Sequence, residues 1–186
     1  MITEFGPVSL RPMRTQDLAL VLAWRNSEAV RPFMTHDGVI AMADHQRWWA
    51  KAAERGECRH LIATDALVPK GLVYFNDMDR ADASAAMGIY IGAAERRRGL
   101  GSIMQWLLLE HAFGPLALKT LRCEVLSNNP RALSLYERFG FRRLETVPAA
   151  VRRASGEELD LVRLELTSED WSRDRARHAD GLLRFL

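Results

Sequence analysis

Apolar and polar positions along this chain repeat with two periods, and the switches between them predict the order of its elements. Val8-Ser9-Leu10-Arg11 alternates as a short strand, and Thr15 and Asp17 then introduce Leu18, Leu20, Val21, Leu22 and Trp24 at helical spacing. After an irregular stretch containing Pro32 and Gly38, Asp44 is the expected N-cap of a second helix. That helix carries Trp48 and Trp49, runs to Arg55 and ends at Gly56. His60 to Thr64 and Leu72 to Phe75 predict two strands joined by a turn at Pro69-Lys70-Gly71. Alanine-rich residues 81–86 lead into a strand with Met87, Ile89 and Ile91 on one face and Gly88 and Tyr90 on the other.

The next stretch, Arg96-Arg97-Arg98-Gly99-Leu100-Gly101-Ser102, opens an apolar helical pattern from Ile103 to Phe113. A strand that passes through glycines into a helix forms an anion cradle. Gly99 and Gly101 are expected to take positive backbone dihedrals and let a ligand approach the main chain, while free N–H groups and the helix dipole favour negative charge. A diphosphate is the expected ligand. Beyond the break at Gly114-Pro115, Leu121, Cys123 and Val125 alternate with Arg122, Glu124 and Leu126 as a strand. Asn129 then suits an N-cap and Pro130 the first helical position, with Ala132, Leu135, Tyr136 and Phe139 on one face and Gly140 as the stop. Phe141 to Val151 and Glu158 to Leu166 predict two last strands around a turn near Ser155-Gly156. A polar tail begins at Ser168, helix being one conformation open to it.

A length of 186 residues suits a single domain, 1–186, with a core over 8–166 and a tail over 167–186. Hydrophobic content of 48% with 27% charged residues is that of a soluble globular protein, and no apolar run reaches a membrane span. The N-terminus lacks a basic region followed by an apolar core, so a cytoplasmic location is expected. Cys58 and Cys123 are expected to be free thiols, and no metal site is expected. The net charge of +2 hides arginine clusters at 96–98, 142–143 and 152–153. No interleaved aromatics accompany them, which argues against nucleic acid and leaves a local phosphate site for the first cluster and solvated surface for the other two.

The order β, α, α, β, β, β, glycine loop, α, β, α, β, β, together with Arg96-x-x-Gly99-x-Gly101 and Asn129-x-x-Ala132-x-x-x-Tyr136-Glu137-x-x-Gly140-Phe141, resembles the GNAT superfamily of acyl-CoA-dependent N-acetyltransferases. The resemblance spans residues 8–166. It implies an α/β (α+β) domain whose mixed, mostly antiparallel twisted sheet is flanked by helices and split by an acyl-CoA cleft. It also implies acetyl-CoA as cosubstrate, with Arg96, Arg97, Arg98, Gly99, Leu100, Gly101 and Ser102 around the diphosphate. Ile89 and Ile91 become main-chain partners of the acetyl and pantetheine groups, and Asn129 a contact on the pantetheine side.

In direct transfer an amine attacks the thioester carbonyl, charge develops on oxygen, and the departing thiolate benefits from a proton. A backbone amide near Ile91 suits the oxyanion. The resemblance implies Tyr136 as general acid, against the simpler reading of a core tyrosine. Glu124, opposite Cys123, suits a base acting directly or through water, or else a structural carboxylate paired with Arg122. Trp24-Arg25-Asn26, Asp44-His45-Gln46-Arg47-Trp48-Trp49 and Glu124 to Asn129 resemble the branch acting on UDP-4-amino-4,6-dideoxy-N-acetyl-β-L-altrosamine in pseudaminic acid biosynthesis. This implies a UDP-linked amino sugar as the small-molecule amine, contacted by Arg25, Arg31 and His45 and lined by Tyr90. Ordinary salt bridges, a first-turn histidine and tryptophan packing are the plainer alternatives. Acetylation of protein N-termini, as for ribosomal proteins, and a catalytically silent acyl-CoA-binding module stand beside this reading, and a homodimer is left open.

Overall fold

The computed structural model describes residues 4–54, 59–92 and 98–185. Strands β1 (Glu4–Phe5), β2 (Val8–Pro12), β3 (Arg59–Asp65), β4 (Val68–Asp79), β5 (Ser84–Ile91), β6 (Thr120–Leu126), β7 (Arg142–Arg152) and β8 (Glu158–Thr167) form one sheet in the order β1-β2-β3-β4-β5-β6-β8-β7. Every neighbouring pair is antiparallel except β5 and β6. Helices are α1 (Leu18–Asn26), α2 (Met42–Glu54), α3 (Leu100–Phe113), α4 (Pro130–Arg138) and α5 (Ser168–Leu183). The mixed sheet flanked by helices agrees with the expected fold class.

Strand alternation sorts the core onto the two faces of the sheet. Leu61, Ala63, Val73, Phe75, Met87, Leu121, Cys123 and Val125 meet α3, Tyr136 and α5 on one face, while Ile62 and Leu72 meet Leu18, Val21 and Trp24 of α1 on the other. Helix α3 is buried on all sides from Ile103 to Glu110. Its one buried carboxylate, Glu110, accepts from Nε and Nη2 of Arg175, both at 2.6 Å, and from Trp171 Nε1 at 3.2 Å. The tail beyond Ser168 is thereby a helix docked on the core, capped by Thr167, whose hydroxyl accepts from the Asp170 amide at 3.1 Å.

Several boundaries differ from the expected ones. The β3–β4 hairpin turns at Ala66 and Leu67, both left-handed with φ of 48° and 68°, and Pro69, Lys70 and Gly71 lie within β4. Neither turn residue carries the Asn or Gly that announces such a turn. Gly71 serves close strand approach instead, since a Cβ there would sit 2.3 Å from the Tyr90 carbonyl oxygen. Helix α2 begins two residues before Asp44, which lies in the first turn and pairs with Arg47. Helix α3 begins at Leu100, so Leu100, Gly101 and Ser102 are helical, and among the glycines of this stretch Gly99 alone has positive φ, 82°. The expected helix end at Gly56, and Cys58, lie outside the described residues. Cys123 is a free, buried thiol, and burial holds it protonated well above its ordinary range.

Candidate active site

The sheet opens where β5 leaves β6. Their parallel ladder runs from Ser84↔Thr120 to Ala86↔Arg122 and stops, while β5 stays paired to β4 as far as Ile91↔Gly71 and β6 to β8 as far as Leu126↔Leu161. From Met87 and Cys123 onward the two strands diverge. The cleft between them encloses about 760 Å³ and is lined by Ile89 and Ile91 on one wall, Glu124 and Val125 on the other, and Gly99, Gly101, Ser102, Asn129 and Tyr136 around its end. Gly99 caps α3 in the left-handed conformation, and the first intrahelical bond runs from the Ile103 amide to the Gly99 carbonyl at 3.0 Å. The amides of Leu100, Gly101 and Ser102 precede that bond and have no intrahelical acceptor.

This end of the cleft fits a diphosphate. A Cβ on Gly101 would meet only Ile91 Cδ1, at 3.5 Å, so the first turn of α3 faces open space. Amides and helix dipole together favour an anion there. The side chain of Leu100 points into the core, 1% exposed, and contributes to the cradle only through its main chain. Arg98 is exposed, while Arg96 and Arg97 lie outside the described residues. Asn129 is the N-cap of α4, its side chain accepting from the Ala132 amide at 3.2 Å. Its oxygen is therefore already engaged.

Tyr136 and Glu124 stand on opposite faces of the opening. Tyr136 projects from α4, 5% exposed, with its ring 5.5 Å from that of Phe141. Burial holds its phenol protonated well above the usual tyrosine range, and Cys123 and Tyr74 add to that effect. A hydroxyl that stays protonated is suited to donate. Glu124 projects from the other face of β6, its side chain 51% exposed. Its carboxylate accepts from Arg163 Nε at 2.9 Å, across the ladder, and Arg163 also reaches Glu145 at 2.5 Å. The expected partner Arg122 pairs instead with Glu165, directly opposite it, at 3.1 Å.

A second cavity of about 380 Å³ opens on the Glu124 face. Arg25, His45, Trp48, His60, Tyr74 and Tyr90 line it, and Met34, Tyr74 and Tyr90 line the cleft as well, so these three stand at the junction. His45 stacks on Trp48 at 4.9 Å, Trp48 meets His60 edge-on at 4.9 Å, and His60 stacks on Tyr74 at 5.8 Å. Burial pushes the His60 imidazole down to about 4 and lowers His45 as well, so both are neutral near pH 7. Nη1 of Arg25 and Nε2 of His45 are buried with no hydrogen-bond partner among the described residues. The one carboxylate on the lining, Asp44, is paired with Arg47.

A family model described as an acetyltransferase (GNAT) domain matches residues 8–142. The chain belongs to the GNAT acetyltransferases. It is an acetyl-CoA-dependent N-acetyltransferase. Acetyltransferase PseH of Campylobacter jejuni subsp. jejuni serotype O:23/36 (strain 81-176) is 25% identical over 129 residues, 69% of this chain and 79% of that protein. The uncharacterized protein MJ1062 of Methanocaldococcus jannaschii is 22% identical over 148 residues, 76% of this chain but 29% of its own length. The spermidine N-acetyltransferase of Vibrio cholerae, solved with CoA and spermine, superposes with a TM-score of 0.84 at 20% identity, covering 90% of this chain and 99% of that one. At that identity the likeness concerns the fold.

Of the acceptor-side residues expected in this GNAT chain, Arg25, His45 and Tyr90 share the second cavity. Arg31 lines neither cavity; its Nη1 donates to the Asp37 carbonyl at 3.0 Å. His60, Tyr74 and Asn76 complete the lining without having been singled out in the sequence. They sit on the α1-facing side of β3 and β4, and only the register His60↔Tyr74 with Tyr74↔Gly88 assembles them. Among the described residues no group of three or more His, Cys, Asp or Glu could hold a metal, and no helix is long and apolar enough to cross a membrane.

Proposed function

We propose that this GNAT enzyme transfers acetyl from acetyl-CoA to the 4-amino group of a UDP-linked amino sugar by direct attack. The observation that carries this reading is the charge of the acceptor cavity. Its free donor is a guanidinium nitrogen of Arg25, Nε2 of the neutral His45 imidazole is an unpaired acceptor because the ring N–H is engaged by the Leu18 carbonyl, and its sole carboxylate is already paired. A polyamine would bring several ammonium groups against Arg25 with no free carboxylate to receive them. A UDP-sugar brings a diphosphate that suits Arg25 and a planar base that suits the exposed face of Trp48. The resemblance of the Trp24-Arg25-Asn26 and Asp44–Trp49 stretches to the nucleotide-sugar branch supports the same substrate.

The chain's own residues divide the chemistry as follows. Ile89 and Ile91 hold the thioester arm through the main chain, and the first turn of α3 holds the diphosphate. Glu124, on the acceptor side, takes the ammonium proton through water, its carboxylate steadied by Arg163. An amide near Ile91 faces the oxyanion, and Tyr136, on the opposite side, protonates the departing sulfur. Acetyl-CoA supplies an activated carbonyl and a thiolate leaving group.

Thiol release from acetyl-CoA tests the substrate directly. Turnover is expected with UDP-4-amino-4,6-dideoxy-N-acetyl-β-L-altrosamine and not with spermidine or an N-terminal peptide. Turnover with either of the latter alone, or cofactor binding with no turnover on any of the three, overturns the reading.

A further inference from the structure

The turn between β7 and β8 sends one arginine into the protein. Arg152 is exposed, as expected of a surface pair, but Arg153 is 7% exposed. Its Nη1 donates to the Thr35 carbonyl at 3.1 Å, and its Nη2 to the carbonyls of Pro32 and Met34, both at 2.9 Å. Asp37 Oδ1 lies 3.6 Å from Nη1. The turn itself does not need this side chain. It is closed by the main chain, with the Arg153 amide bonded to the Glu157 carbonyl at 2.8 Å and the Gly156 amide to the Arg153 carbonyl at 2.9 Å.

The segment that Arg153 grips runs from Pro32 to Asp37, and beyond a single turn at Arg31–Phe33 it has no helix or strand of its own. Side chains fix it instead. Arg25 donates to the His36 carbonyl, Arg31 to Asp37, Asn128 Nδ2 to Pro32 at 3.1 Å, and Asn26 exchanges two 2.9 Å bonds with the main chain of Ile40. Residues 32–40 thus lie between the two cavities: Phe33 faces the acetyl-CoA cleft, Ile40 the acceptor cavity, and Met34 both.

We propose that Arg153 is a positioning residue that fixes this partition and thereby the line along which the acceptor amine reaches the thioester. A planar guanidinium can satisfy three converging carbonyls and one carboxylate at once, whereas an ammonium on a flexible stem cannot hold the same fan of acceptors. Arg153 touches neither cavity and acts through Met34 and Phe33.

Hydrogen exchange on the full chain, with no ligand present, tests the grip independently of the substrate. In Arg153→Met, amides of residues 33–40 are expected to exchange at least tenfold faster while β3, β4 and α3 are unchanged. Kinetics then read the consequence, using whichever of the three amines named above wild-type enzyme turns over. KM for the amine is expected to rise about tenfold or more, with calorimetric CoA affinity and kcat within about threefold. Unchanged exchange at 33–40, acceleration spread evenly over the sheet, or a loss of CoA affinity equal to that of the amine overturns the proposal. Arg153→Lys, which keeps charge and stem, carries the same measurements if the methionine variant does not fold.

Discussion

The phenol ring of Tyr74 occupies the space that a side chain on Gly88 would need. The two residues face each other across β4 and β5, and a Cβ on Gly88 would lie 2.0 Å from Cζ of Tyr74 and 2.1 Å from its hydroxyl oxygen. The absence of a side chain at one strand position thus sets a tyrosine at the junction of the two cavities. Gly88→Ala must push that ring aside, because the strand on which Gly88 sits is ladder-bound and cannot yield. Overpacking of this kind costs about 1–3 kcal/mol. The expected outcome is a fall in kcat/KM of tenfold or more, with CoA affinity retained; unaltered steady-state kinetics would mean that the ring has no part in shaping the junction.

Tyr136 offers a sharper separation of binding from chemistry. Its hydroxyl is held protonated by burial, and removal of a general acid costs about 10²–10⁴ in rate. Tyr136→Phe keeps the ring against Phe141 and deletes only the donor. We expect kcat to drop by about a hundredfold while CoA affinity by calorimetry stays within about twofold. The same burial predicts that wild-type activity shows no alkaline loss attributable to Tyr136 up to pH 10. A turnover number unchanged in the phenylalanine variant removes Tyr136 from the acid role.

Much of the cleft was legible because its parts are local. Gly99 before an apolar helix, Asn129-Pro130 as cap and first residue, and Tyr136 on the buried face of α4 are each set by neighbours within a turn or two. The acceptor cavity was only half legible, because His60 and Tyr74 meet Trp48 through strand register and helix packing that no short window contains. Arg153 looked like surface charge because Arg152 beside it is surface, and its acceptors lie 118 to 121 residues away. That a structural partner of Glu124 is Arg163 and not Arg122 has the same reason: in an antiparallel ladder the partner is the residue opposite, not the one two positions along. The hairpin turn falls before the expected Pro69-Lys70-Gly71 because Ala66 and Leu67 adopt left-handed backbone without the residues that favour it.

Acid should unfold this protein through its buried imidazoles. Packing against Trp48 and Tyr74 lowers His60 from 6.5 to about 4, so the unfolded chain takes up its proton first as pH falls. The stabilising contribution is full above pH 6.5 and is lost progressively between 6.5 and 4. Because the ring retains some solvent exposure, the loss amounts to about 2 kcal/mol. His45, His111 and His178 are lowered by burial in the same direction and broaden the transition. Urea unfolding at pH 7 and pH 4.5 should show a smaller difference in His60→Phe than in wild type. Equal differences in the two proteins would place the acid sensitivity elsewhere.

The diphosphate end of the cleft makes a prediction about fold and ligand at once. Gly101 lies in the first turn of α3 with ordinary helical backbone, and a Cβ there would make one normal contact, with Ile91 Cδ1 at 3.5 Å. A side chain at this position is therefore tolerated by the fold but projects into the space proposed for the diphosphate. Gly101→Glu adds bulk and places a negative charge beside the free amides, where it repels the ligand and satisfies the helix N-terminus in its stead. It should melt within a few degrees of wild type or slightly above it, yet give no calorimetric heat with CoA. A variant that folds and binds CoA with wild-type affinity would mean that the diphosphate is held away from the N-terminus of α3.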